Sequence, residues 1–200
     1  MSSAVGTIAQ SLGVAFAAGI NLPATVAVLG VAERSGWIGP LPGALQGVAN
    51  VWVIALASVL YVMEFLVTLV PGVASIWETA QSAIRPPAAA LLAVATTYHM
   101  SPPVLIGAGL VGGALALTTH GAKLGLRYAV DASPEPFTNG IVNMAELGTI
   151  TAIATFIWAH PFITLSTAIL ILILLILVVR RIVKTLRSLL SGDWKKGVTA

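Results

Sequence analysis

THGAKLGLRYAVDASPEPFTN, residues 119–139, closes a glycine-rich apolar run and sets His120, Lys123, Arg127 and Asp131 at helical spacing, before a break at Ser133-Pro134-Glu135-Pro136-Phe137. Steps of three and four residues put those four side chains along one stripe of a helix. Ionisable groups within so apolar a segment are expensive in hydrocarbon, so neighbouring helices must supply their partners. The stretch therefore predicts a membrane-embedded helical bundle organised around buried charge.

Composition agrees. The chain has 200 residues, 58% of them hydrophobic and 8% charged, with a mean hydropathy of +0.98. A soluble domain of this size has no means of hiding that much apolar surface behind so few charges, so lipid is part of its solvent. Of the ten Lys and Arg, six lie between Arg180 and Lys196. That clustering suits an anionic membrane face, not nucleic acid, for which the chain offers no basic-aromatic surface. The chain has no cysteine, which excludes disulfides, thiolate metal ligands and thiol chemistry. The start, MSSAVGTIAQSLG, lacks a basic leader, so the first apolar segment is expected to belong to the mature protein.

Taken outward from that stretch, the pattern predicts an all-α polytopic transmembrane bundle of about six spans. The first, residues 8–32, contains Gly19-Ile20-Asn21-Leu22-Pro23, and Pro23 removes a helical hydrogen bond there, so a kink or break is expected. The second, residues 51–70, carries Glu64 between Tyr61 and Thr68. Residues 73–85 place Val73, Ile76, Trp77, Ala80 and Ile84 on one side and Glu78, Gln81 and Arg85 on the other, as in a helix lying in the interface or plugging a cleft. A short third segment, residues 86–99, is either re-entrant or completes its crossing with residues before the prolines. Segments at 104–129, 140–159 and 162–179 follow. Gly109/Gly113 and Gly121/Gly125 permit close helix contact, and residues 180–200 form a basic amphipathic cytoplasmic tail.

With six spans and the N-terminus inside, the inner side receives Arg85, Lys123, Arg127 and the six tail residues, and the outer side only Arg34. The positive-inside rule therefore predicts both termini in the cytoplasm. Segments one and four then head two halves of opposite direction, which leaves a 3+3 inverted repeat open. Glu64, Lys123, Arg127 and Glu146 fall in one inner layer, roughly 10 Å deep at 1.5 Å per residue.

AAGINLPATVAVLG (17–30), VPGVASIWETAQSAIRPPAAALLA (70–93) and the opening stretch together resemble a bacterial integral-membrane family, domain of unknown function 4126. The resemblance runs to His160-Pro161, with IRPP and SPEPF as its more specific strings. That pattern usually has an Asp-Lys pair where this chain has Thr68-Leu69, and often a second acid where it has Leu147. The resemblance implies a helical bundle in the cell membrane and supplies no activity.

Three functions fit these residues. In the leading one the chain is a small transporter or permeation protein of the inner membrane that needs no cofactor, whose coupling groups are Glu64, Glu146, Lys123, Arg127 and His120. Asn21, Pro23, Thr25 and Asn143 would line its path, and proton exchange on buried carboxylates would drive it. The plain alternative is a structural ion-pair network, with Lys123 and Arg127 snorkelling to the surface and His120 a packing residue. The rival functions are an accessory or assembly subunit, whose GxxxG faces meet a partner, and a lipid-handling protein. A homo-oligomer or a membrane-protein partner is expected. Arg180, Arg181, Lys184 and Arg187 would hold anionic lipids. His99 and His160, without acids or cysteines, make no metal site, and no HExxH, GxSxG or phosphate-binding loop points to an enzyme.

Overall fold

The computed structural model describes residues 4–131 and 136–190, and among these every regular element is helical. In order they are α1 (Ala4–Ile20), α2 (Leu22–Arg34), a 3-10 helix (Gly43–Ala49), α3 (Val51–Val67), α4 (Val73–Gln81), α5 (Arg85–Thr96), α6 (Pro102–Asp131), α7 (Pro136–Ala159) and α8 (Pro161–Leu190). Most of the SPEPF break and residues 191–200 lie outside the described residues. The basic tail begins as a direct continuation of α8, with no boundary at Arg180. By length and composition three helices can cross a membrane, Pro102–Asp131, Phe137–Ala159 and Pro161–Lys184, and the 3-10 helix with α3, bent by 69°, makes a fourth if that pair is one span.

The first segment is broken at Asn21, which is extended (φ −154°, ψ 108°) and caps α2. Its Oδ1 accepts from the Ala24 N–H at 2.9 Å, the donor that a continuous helix would give to the Ile20 carbonyl. Pro23 has no N–H to offer Gly19. Two carbonyls at the end of α1 are thereby released from the helical ladder.

α1 and α2 run in opposite senses along α7. In α1, a side chain at Gly13 would meet Ile157, Phe16 shares a cluster with Ile150 and Ile153, and Ile20 lines a cavity with Glu146. In α2, by contrast, Leu29 and Ala32 have returned to the level of Ala154 and Trp158. Helix α3 confirms the direction: Asn21 bonds Glu64, and Gly30 faces Ile54 and the Val48 carbonyl. The segment is thus a hairpin with Asn21 at its apex, and both of its ends lie at the His160 end of the bundle. The expectation of one kinked crossing is corrected here, because helix direction after an extended residue is set by packing and not by the local sequence.

α4, a three-residue turn and α5 lie antiparallel along α6 over its length. Ser75 meets Asp131, Thr79 meets Tyr128, Ser82 meets His120, and Gly113 and Gly109 receive Ala90 and Val94. The Gly109/Gly113 spacing is therefore occupied inside the chain, by α5. Among described residues Gly125 faces Val179 of α8, and Gly121 has open space beside it. Ala15, Ala18, Ala89, Ala93 and Ala116 pack where α1, α5 and α6 meet, and small residues let these backbones approach closely. A Cβ at Gly19 would stand 2.8 Å from the Ala116 backbone.

The polarity of residues 73–85 is the reverse of a helix with its charges in water. Glu78 and Arg85 are both 0% exposed, while Ile76 is 72% and Ile84 53% exposed. The charged side faces protein and the apolar side faces outward, as lipid requires.

Candidate functional site

The apex of the α1–α2 hairpin meets charges from α3, α4, α5, α6 and α7. The Lys123 ammonium lies 2.7 Å from Glu78 Oε1, 2.9 Å from Glu146 Oε2 and 3.4 Å from Glu64 Oε1, and it donates to the Ile20 carbonyl at 2.8 Å. Arg85 donates to Glu64 and to Glu78, each at 2.5 Å, and to the same Ile20 carbonyl at 3.1 Å. The released carbonyl, at the negative end of the α1 dipole, thus sits against two cations. Asn21 Nδ2 donates to Glu64 Oε1 at 2.6 Å. One residue therefore breaks the helix, caps the next one and holds a carboxylate.

Arg127 extends the cluster to α7. It donates to Glu146 Oε1 at 2.9 Å, to Asn139 at 3.2 Å, and to Asn143. Asn143 Nδ2 donates to the Thr68 hydroxyl at 3.0 Å, and that hydroxyl donates to the Glu64 carbonyl at 2.8 Å. Thr68 thus stands as a buried neutral link where the resemblance expects an acid. Asp131 accepts from the Ser75 N–H at 3.0 Å and from its hydroxyl, capping an α4 whose own N-cap, Gly72, has no side chain to do so.

A backbone carbonyl can only accept, so His120 Nε2, 3.1 Å from the Glu78 carbonyl, carries a proton. Nε2 also lies 2.9 Å from Ser82 Oγ, and Arg85 Nη1 lies 3.2 Å from Nδ1. Glu78 is fully buried, and Lys123 and Arg85 both lie against its carboxylate, at 2.7 and 2.5 Å.

Three carboxylates (Glu64, Glu78, Glu146) and three cations (Arg85, Lys123, Arg127) join through these contacts, so the cluster is neutral as a whole. Such pairing is what makes buried charge tolerable. Lys123 and Arg127, at 3% and 0% exposure, do not snorkel. Nor are Arg85, Lys123 and Arg127 surface charges that can be counted for orientation.

Of the residues expected to line a path, Asn21, Thr25 and Asn143 are buried and Pro23 is half-buried. Asn21 and Asn143 join the cluster, and the Thr25 hydroxyl bonds the Asn21 carbonyl at 2.8 Å. A cavity of about 170 Å³ opens beside Lys123 and Glu146, between α1, α6, α7 and α8. Arg180, Arg181, Lys184 and Arg187 lie on the exposed side of α8, away from the cluster. The reading of the residues missed Glu78 and Arg85 as members. The signal was there: seven residues apart, they share a helix face with Gln81 and Ser82.

An all-helical membrane protein with a neutral charge cluster buried at a helix break is the class that fold and site define. Within it, the chain belongs to the family described as a domain of unknown function (DUF4126), whose profile it matches over residues 8–181. No curated protein and no solved structure matches it.

Proposed function

We propose that the chain is a small transport or permeation protein of the bacterial inner membrane, with Lys123 as the switching group of its charge cluster. The observation that carries this reading is the sharing of one ammonium among carboxylates from three helices, Glu64 of α3, Glu78 of α4 and Glu146 of α7. Of these, Glu146 has the most exposed side chain, at 13% against 3% and 0%, and it borders the cavity. A proton reaching Glu146 from that side releases Lys123 to the other two carboxylates and loosens α7 from the hairpin apex. Discontinuous helices whose ends face a central site are a recurrent transporter device.

The topology that goes with this reading has five crossings, α3, α4–α5, α6, α7 and α8, and a re-entrant α1–α2 hairpin. It replaces the six-span arrangement and its 3+3 repeat. The basic end of α8 favours a cytoplasmic C-terminus, which puts the N-terminus outside, and Arg180, Arg181, Lys184 and Arg187 against anionic headgroups. The native chain has no cysteine, so single replacements report cleanly. Ala4→Cys and Ser35→Cys should react with an impermeant maleimide from one side of the membrane, and Lys184→Cys from the other. Labelling of Ala4→Cys and Lys184→Cys from the same side would restore the six-span arrangement.

Transport is tested in proteoliposomes holding a trapped pH dye, screened with pools of small solutes. Solute-evoked proton movement should be present in the native chain and lost in Glu64→Gln and Glu146→Gln variants that remain monodisperse. Equal flux in the variants would remove these carboxylates from coupling. The balance of three carboxylates against three cations in contact favours a second reading, an accessory subunit held rigid by its charges. A stoichiometric larger partner in mild detergent supports that role, and a clean homo-oligomer supports transport.

A further inference from the structure

We infer that the crevice between α7 and α8 binds an uncharged lipid with a hydroxyl headgroup, its polar end at Glu146 and its acyl chain running toward His160. Two cavities, of about 170 and 240 Å³, adjoin through shared Thr149 and Ile171. The first ends at Lys123 and Glu146, and the second reaches His160 and Thr164. From residue 146 to residue 160 the crevice follows roughly 21 Å of helix, enough for much of an acyl chain. Its middle is lined by Ile153, Phe156, Leu172 and Leu175. In a bilayer, lipid chains are the surrounding solvent of such an opening.

The charge cluster selects the headgroup. With three carboxylates against three cations, a phosphate, carboxylate or ammonium would bring an uncompensated charge into a low-dielectric site. Hydrogen-bond capacity narrows the choice further. An ammonium has three N–H bonds, and Lys123 already has four oxygens to share them, the Ile20 carbonyl and the carboxylates of Glu78, Glu146 and Glu64. Glu146 Oε1 and Oε2 are engaged by Arg127 and Lys123 respectively, and each carboxylate oxygen can accept a second bond. The cavity's polar end thus offers acceptors and no spare ammonium donor. An uncharged donor fits it, whereas an ester carbonyl alone does not. This deepens the transport reading by naming a substrate class, and binding is tested apart from transport.

The test uses the full chain in phosphatidylcholine nanodiscs with a photoreactive monoacylglycerol carrying an alkyl diazirine. Crosslinks should concentrate on crevice residues such as Ala152, Ile153 and Ile171. An excess of monoolein should reduce them at least fivefold, and methyl oleate, which has the same chain but no hydroxyl, should not. Thr149→Phe, which fills the junction of the two cavities, should bring labelling to background in a protein that remains monodisperse. Labelling spread evenly over outward residues such as Leu170 and Leu174, or equal competition by methyl oleate or oleic acid, would overturn the proposal. Failure of labelling with solute-coupled proton flux intact removes the lipid and keeps the transport reading. Labelling without flux in any pool does the reverse.

Discussion

Helices α1 and α8 stand at opposite extremes of this molecule. The most apolar stretch of α8 has a hydropathy of 3.1, yet only 17% of it is buried in the protein. α1 carries Thr7, Gln10 and Ser11, and all three are buried. In water the greasier helix would be the central one. In lipid the apolar driving force between helices is absent, and close backbone packing and polar bonds decide which helix is enclosed. Polarity and small size thus mark the centre of this bundle, and plain hydrophobicity marks its rim.

Substitutions sharpen the contrast. The largest loss should come from Arg85→Ala, which removes the guanidinium that bridges Glu64 and Glu78 and leaves Lys123 as their shared cation. Breaking a buried pair costs about 3–5 kcal/mol, so little monodisperse protein should survive size exclusion, and adding Glu64→Gln should restore part of it. Gly19→Leu comes next, because its Cβ would lie 2.8 Å from the Ala116 backbone. Overpacking of about 1–3 kcal/mol should lower the thermal midpoint in detergent, while Gly121→Leu, with nothing within 4 Å, should not. Leu174→Ala on the outward face of α8, 53% exposed, should change stability by no more than about 0.5 kcal/mol. A loss as large as that of Gly19→Leu would mean that α8 is covered by another chain.

Sequence alone determined the helical class, the break at Asn21-Leu22-Pro23 and a layer holding Glu64, Lys123, Arg127 and Glu146. Each of these follows from local chemistry: a missing N–H at Pro23, a helical period, a fixed rise per residue. Tertiary structure decided three other things. It turned α2 back along α1, because an extended Asn21 permits many directions and only contact with α3 and α7 selects one. It faced Glu78 and Arg85 inward, because periodicity groups residues on a face without saying whether protein or solvent meets it. It used Gly109 and Gly113 to seat α5, because a small-residue stripe names no partner. The period of a helix is written along the chain, whereas its direction and neighbours come from packing between segments far apart in sequence.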